Sequence, residues 1–280
     1  MLSQAEINQF YDQGYVITGP MDLDLLERLR KASYIEVEKI GAAMPDRMPG
    51  SYNPQIQPGP FAEYLASPHV LDVIEDLLGT DIYGLSLHCR VGNFKEDQKM
   101  VWHRDGMAPH HTAEKEMEIL MGRRKTVQWN CSLYDGDTCF RFVPASHCRP
   151  ISAQELACFK EDPRGDLPGQ KVAELGAGET SFYNNSILHQ GVYKQGQRRE
   201  TFFGGVRIRT LPLGVAYARE KEYMLEPGYL ESLPARLRPV LEPSLDIIRD
   251  VMAGRLRTCA GGLGSVAYME MLQCLDESGR

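Results

Sequence analysis

The order of patterns along the chain predicts an all-β core with flanking helices, folded as a single domain spanning residues 1–280. Helical periodicity comes first and is clearest in Leu25, Leu26, Leu29, Ala32 and Ile35. A series of short strand-like segments, broken by Gly, Pro and Asp, then fills residues 83–210. With no repeat, linker or low-complexity tract, a sandwich or barrel braced by helices is the expected architecture.

The elements follow in order. Ser3 and Glu6 form a capping-box pattern that opens a helix ending near Gln13, and Gly14-Tyr15-Val16-Ile17 reads as a brief strand. Asp22 to Lys39 carries the helical periodicity. Residues 44–60, rich in proline and glycine, read as a loop. Phe61 to Leu78 reads as helix, divided at Pro68 and closed by Gly79. Strands are expected at Tyr83–Val91, Thr126–Leu133, Phe140–Val143, Val172–Leu175, Glu179–Tyr183, Gly191–Tyr193 and Glu200–Thr210, with a tight turn at Asp135-Gly136. Met100–Asp105 is taken as strand-like, running into a turn at residues 106–109. The acidic Thr112–Leu120 segment reads as an insertion near a pocket, and residues 149–171 as an irregular excursion with a short helix. After Pro212 the pattern is irregular apart from a helix at Ser244–Met252, and this tail is expected to cover the barrel or to form a homodimer contact.

Composition narrows the classes of function. Acidic residues outnumber basic ones, 38 against 31, for a net charge of -7, which gives no support to nucleic acid or an anionic membrane as partner. No stretch is long and apolar enough to span a bilayer, and the start lacks the basic and apolar regions of a signal peptide. The cysteines are scattered and lack CxxC spacing, so free thiols in a reducing, cytoplasmic setting are expected.

The chemistry concentrates in Trp102-His103-Arg104-Asp105 and in His189, which lies 84 positions after Asp105. Side chains at i and i+2 of a strand share a face, and a later strand can bring His189 to the third corner of a triangle. Two imidazoles and one carboxylate on one side of a metal leave the other side open, the donor set of non-haem Fe(II) oxygenases. The same residues suit a zinc hydrolase with an activated water, which would want a general base that no spacing marks. A surface histidine beside a turn aspartate is the plain alternative, and the residues alone leave all three open.

Arg198 and Arg199 come nine and ten residues after His189. A guanidinium matches a carboxylate through two parallel hydrogen bonds, so either could hold the distal carboxylate of a keto acid. Of the other histidines, His147 is expected to be packed and hydrogen-bonded, and His88 to face pocket or core. His69 is expected at the surface, and His110 and His111 in a solvated loop.

Five blocks in order resemble the phytanoyl-CoA dioxygenase family of Fe(II)/2-oxoglutarate-dependent oxygenases, over residues 5–210. Phe10-Tyr11-Asp12-Gln13-Gly14-Tyr15-Val16 is similar to the family's first helix and Gly-Tyr strand. Trp102-His103-Arg104-Asp105 matches its Trp-His-x-Asp block. Phe142-Val143-Pro144-Ala145-Ser146-His147 resembles Val-Pro-Gly-Ser-His with alanine for glycine. Gly178-Glu179-Thr180 through Leu188-His189-Gln190-Gly191 resembles the segment of the distal histidine, and Arg198-Arg199 the cosubstrate arginine.

The resemblance implies a double-stranded β-helix, a cupin-like jelly roll with iron at its mouth. It implies His103, Asp105 and His189 as Fe(II) ligands and Arg198 as the 2-oxoglutarate arginine, at a slightly short spacing, with Arg199 as the fallback. Gln128, Asn130 and Ser181 are implied as cosubstrate contacts on neighbouring strands. Related halogenases carry a small residue where Asp105 stands, so the resemblance favours hydroxylation or another oxidation over halogenation. The implied activity is oxygenation of a small organic metabolite, such as those of secondary metabolism, with dioxygen and 2-oxoglutarate consumed and succinate and CO2 released. A non-catalytic jelly-roll binding protein is the alternative, and it has no need of an open metal face opposed by an arginine. Residues 44–60, 109–122 and 149–171 are expected to line the substrate site, with Met107, His111 and Arg123 as contacts and Tyr52 and the methionines suited to a partly apolar molecule.

Overall fold

The computed structural model describes residues 1–43, 54–93, 96–105, 107, 112–123, 125–209 and 215–255, with the side chains of 37–43, 92–93, 198 and 215–217 excepted. Helix α1 (Gln4–Gln13) begins with the expected capping box, in which Ser3 N donates to the Glu6 carboxylate at 2.7 Å. Gly14 closes it in the left-handed region at φ +84°, and a Cβ there would lie 2.6 Å from Nδ1 of His147. Strand β1 (Tyr15–Thr18) and helices α2 (Leu23–Ala43), α3 (Pro60–Ala66) and α4 (Val73–Leu78) follow. Pro68 does divide the third helical segment, where a π-type turn at Pro68–Asp72 joins the two pieces.

The strand-rich part comprises β2 (Ile82–Asn93), β3 (Gln98–Lys99), β4 (Thr126–Ser132), β5 (Asp137–Val143), β6 (Lys171–Leu175), β7 (Thr180–Tyr183), β8 (Leu188–Tyr193) and β9 (Arg198–Ile208). Two helices interrupt it, α5 (Ala113–Gly122) and α6 (Ala153–Glu161). The strands make two antiparallel sheets, ordered β1-β7-β4-β9-β2 and β3-β8-β5-β6. The pairings β5–β6, β4–β7, β3–β8 and β2–β9 are those of one long hairpin with β5–β6 at its tip. Successive pairs fall alternately in the two sheets, so the hairpin is wound on itself into a jelly roll, the double-stranded β-helix. β1 is an added edge strand.

Alternation along β9 separates inside from outside. Phe202 and Val206 point outward into the main core, with Trp129 and Phe182 from β4 and β7 and Leu85 and Leu87 from β2. The N-terminal helices supply Phe10, Leu29, Tyr64, Leu71 and Ile74 to this core. Arg199, Thr201, Phe203, Gly205 and Arg207 occupy the opposite, inner face of the strand.

The tail is more helical than its sequence pattern suggests. It forms α7 (Val215–Glu220), α8 (Tyr229–Ser232) and α9 (Arg238–Met252), the last starting six residues before the expected Ser244. Pro239 sits in the first turn, where no amide is needed. Pro243 removes one helical bond, but Val240, Leu241, Leu245, Ile248 and Val251 are buried and α9 packs against β2. Their burial, at about 1.5–3 kcal/mol each, outweighs a proline penalty of about 3 kcal/mol. Among the described residues no helix is long and apolar enough to cross a membrane.

Candidate metal centre

Backbone bonds, rather than a strand pleat, bring the three ligating side chains together. No strand forms at the expected Met100–Asp105; the ladder ends just before it, at Gln98–Lys99, after which the chain passes Trp102 against the excursion. Trp102 is fully buried, and its indole N–H donates to the Gly165 carbonyl at 2.7 Å. His103 then rejoins the barrel through an isolated bridge to His189, whose two N–H···O bonds measure 3.0 and 2.9 Å. Asp105 N donates to Asn185 O at 3.2 Å, which turns the carboxylate towards the same side.

The imidazoles are oriented alike. Nδ1 of His103 lies 2.8 Å from the Val101 carbonyl, and Nδ1 of His189 lies 2.8 Å from the Ile187 carbonyl. A carbonyl only accepts, so each Nδ1 carries a proton, and in the neutral ring the lone pair a metal would take is on Nε2. The two Nε2 atoms lie 3.7 and 3.8 Å from Oδ1 of Asp105, and the three ligand atoms all fall within 4.8 Å of one another. Burial, followed by the neighbouring His103, pushes His189 down to about 4, which keeps it in the neutral, ligating form.

Surrounding groups fix this triangle. Gln128 Nε2 donates to Asp105 Oδ2 at 2.7 Å, leaving Oδ1 to the imidazoles. Arg123 Nη1 donates to the main-chain oxygen of Asp105. Arg104, between the two ligands, points away into a buried pair with Glu116 of α5, and its Nη2 donates to the carbonyls of Ser146 (2.9 Å) and Arg149 (3.1 Å). Sequence reasoning missed Arg104. The available signal was its position, since a side chain flanked by two inward-facing residues must be anchored elsewhere.

Other expected residues are also placed. Asn130 and Ser181 are cross-strand neighbours on the inner face, and Asn130 shares a hydrogen bond with buried Tyr183. Arg199 is buried on the inner face of β9, with Nε donating to Asp137 Oδ2 at 3.0 Å and its guanidinium carbon 5.4 Å from the centre of the Tyr193 ring. Thr201 Oγ1 (2.7 Å) and Cys139 N (2.8 Å) also donate to Asp137. Of Arg198 the structure describes only the backbone, paired with Asn93. His88 faces the barrel interior and stacks on Phe203 with ring centres 4.7 Å apart. Burial, then the charges of Lys221 and Arg90, push His88 down to about 4. His147 is packed as expected, with Nε2 3.0 Å from the Tyr11 carbonyl. His69 is not a plain surface residue, because it is half-buried and its Nε2 lies 2.7 Å from Thr180 Oγ1. Tyr52, His110 and His111 lie outside the described residues.

No family model and no curated protein matches the chain. Solved structures do. EctD from S. alaskensis, determined with 2-oxoglutarate and 5-hydroxyectoine, aligns over 86% of this chain and 88% of its own at 17% identity and a TM-score of 0.57. AviO1 from Streptomyces viridochromogenes Tue57 aligns over 75% of this chain and 96% of its own, at 16% identity and a TM-score of 0.54. ThoJ, described as a non-heme monooxygenase, aligns over 72% and 76% at 14% identity and a TM-score of 0.53. At these identities the likeness is one of fold, and the fold is the double-stranded β-helix.

The donor chemistry fits a divalent iron. Two imidazole nitrogens and one carboxylate oxygen, converging from one side, suit an ion that keeps open positions. The inner face also fits an oxyacid. Ser181 Oγ is buried without a hydrogen-bond partner among the described residues, and Arg199 is held by Asp137 through Nε alone.

Proposed function

We propose that the chain is an Fe(II)/2-oxoglutarate-dependent oxygenase of the phytanoyl-CoA dioxygenase kind, built as one domain and acting on a small organic molecule. The observation that carries the reading is the triad itself, two imidazoles with Nδ1 engaged by carbonyls and Nε2 turned to one carboxylate oxygen. Support comes from the placement of a buried arginine on the same inner face, and from fold neighbours that include a 2-oxoglutarate complex and a non-heme monooxygenase.

In this reading His103, Asp105 and His189 hold Fe(II), and Arg199 binds the distal carboxylate of 2-oxoglutarate. Bound together, iron and 2-oxoglutarate supply the activation of dioxygen, with succinate and CO2 formed and a substrate C–H bond oxidised. The residues around them hold and exclude. Gln128 orients the carboxylate ligand, the Val101 and Ile187 carbonyls hold the imidazole tautomers, and Phe140 and Tyr183, each with its ring centre 5.7 Å from that of His189, keep that side apolar. Asn130 and Ser181 are polar contacts for the cosubstrate, and Asp105 occupies the position a halide would need.

Anaerobic addition of Fe(II) and 2-oxoglutarate tests the assignment. The expected result is the visible charge-transfer band of the chelate, absent with either component alone and lost in His189→Ala. A folded protein that gives no band removes the assignment.

A further inference from the structure

The inner corner around Arg199 holds a second cation that no motif in the sequence marks. On β2, Leu85, Leu87 and Cys89 face the outer core, so His88 and Arg90 face the barrel interior. Arg90 pairs across the sheet with Thr201, and Arg199 with Gly92. Gly205 marks the level of the metal ligands, because it sits opposite Gln128, which bonds Asp105. Arg90 is therefore one inward-facing rung nearer that level than Arg199.

Tyr193 of β8 is the neighbour the two arginines share. The Arg90 guanidinium carbon lies 5.5 Å from the centre of its ring, and Nη1 donates to its hydroxyl. The Arg199 guanidinium carbon lies 5.4 Å from the centre of the same ring. On its other side Arg90 packs on Phe203, 5.4 Å from that ring centre, and Phe203 in turn stacks on His88. Both charges also reach Cys139. Burial pushes its thiol up to about 12, while Arg199 and, less strongly, Arg90 work the other way.

The two arginines differ in what balances them. Asp137 pairs with Arg199 at 3.0 Å, so that pair is neutral as a whole. Among the described residues no carboxylate pairs with half-buried Arg90, whose polar contact is the Tyr193 hydroxyl. A carboxylate entering beside a neutral ion pair gains hydrogen bonds but no net charge, and the aspartate repels it. A guanidinium without a counter-charge supplies both the charge and a matching pair of donors. We infer that Arg90 binds the distal carboxylate of the cosubstrate together with Arg199, supplying the net positive charge that selects a dicarboxylic keto acid. This rests on the oxygenase reading, and it adds a residue from β2 to the site.

Calorimetric titration of Mn(II)-loaded protein tests it, with 2-oxoglutarate compared against 2-oxovalerate. The second molecule keeps the keto acid and the chain length but ends in a methyl group. Arg90→Gln should weaken 2-oxoglutarate about tenfold or more, the worth of one charge-assisted hydrogen bond, and leave 2-oxovalerate unchanged. Arg90→Lys, which keeps the charge without the fork, should fall between Arg90→Gln and wild type. An equal loss for both keto acids makes Arg90 a packing residue behind Tyr193 and overturns the inference. Unchanged affinity for 2-oxoglutarate in Arg90→Gln overturns it as well. Glutarate, which lacks the keto acid and needs no metal, keeps the two readings apart. If wild type binds neither keto acid, the oxygenase reading falls and glutarate alone decides the anion site by ligand-observed NMR. Glutarate binding that is lost in Arg90→Gln then sustains the site, and binding that is absent in wild type or equal in both proteins removes it.

Discussion

Gln128 donates its side-chain amide to Oδ2 of Asp105 at 2.7 Å, so the carboxylate offers its other oxygen to both imidazoles. Gln128 sits on β4, opposite Tyr183 on one side and Gly205 on the other, where the pleat is firmly set. Removing the amide frees the carboxylate to rotate without touching a ligand. Gln128→Leu is expected to weaken Fe(II) binding about 10–100-fold, the usual effect of losing a partner behind a metal ligand. Anaerobic metal titration measures this, and an unchanged affinity would show that Asp105 is oriented by its backbone bonds alone.

Asp137 and Arg199 form a buried pair, each side chain 5% exposed. Burial alone would raise the Asp137 carboxyl, but the Arg199 charge, the Thr201 hydroxyl and the Cys139 amide outweigh it and hold the group below its ordinary value. A depressed carboxyl stabilises the fold fully above its unfolded value of about 4, and that contribution is lost as pH falls through the lower folded value. Wild type should therefore lose stability over that acid range, and Asp137→Asn should lack this component. Asp137→Ala leaves the guanidinium buried and unpaired, at an expected cost of about 3–5 kcal/mol at neutral pH. Urea denaturation across pH checks both, and the same variants should weaken 2-oxoglutarate binding because Arg199 is no longer held.

Arg104 joins the ligand loop to α5 and to the turn that carries His147. Both members of its pair with Glu116 are nearly inaccessible, with side chains 2% and 11% exposed. Arg104→Met strands Glu116 and two carbonyls, with an expected loss of about 3–5 kcal/mol, whereas the double change Arg104→Met, Glu116→Leu should recover much of it. Thermal denaturation of the three proteins gives the comparison. A double variant no more stable than the single one would place the cost in the carbonyl bonds to Ser146 and Arg149.

Local features of the fold are written locally. The capping box at Ser3 and Glu6, the Gly14 helix stop and the strand segments from Thr126 to Leu175 follow from neighbouring residues and appear where the pattern puts them. The convergence of His103, Asp105 and His189 was legible as a spacing, yet its cause was not, because the bridge to His189 is a long-range bond with no mark at either end. Which of two adjacent arginines lies inside the barrel depends on strand phase, and that phase comes from pairings such as Ser132 with Thr201. Asp137 was hidden for the same reason, since its partner Arg199 is 62 residues away. The helical tail was obscured by Pro239 and Pro243, whose local preference yields to burial of the apolar face of α9.

The consecutive glycines of β9 separate the two faces of the barrel in a measurable way. Gly204 lies on the outer face, where a Cβ would collide with the Trp129 ring and come within 2.5 Å of the Ser86 carbonyl. Trp129 is fully buried and bonded to the Tyr64 hydroxyl at 3.1 Å, so it cannot retreat without breaking that contact. Gly205 lies on the inner face, where a Cβ would meet Gln128 Cγ at an ordinary 3.5 Å. Gly204→Ala should therefore destabilise the protein by about 1–3 kcal/mol or more through overpacking. Gly205→Ala should be close to neutral in stability, and any effect it has should fall on metal or ligand binding through Gln128. Thermal melting and Fe(II) titration of the two variants separate the effects, and equal destabilisation by both would contradict the assignment of the faces.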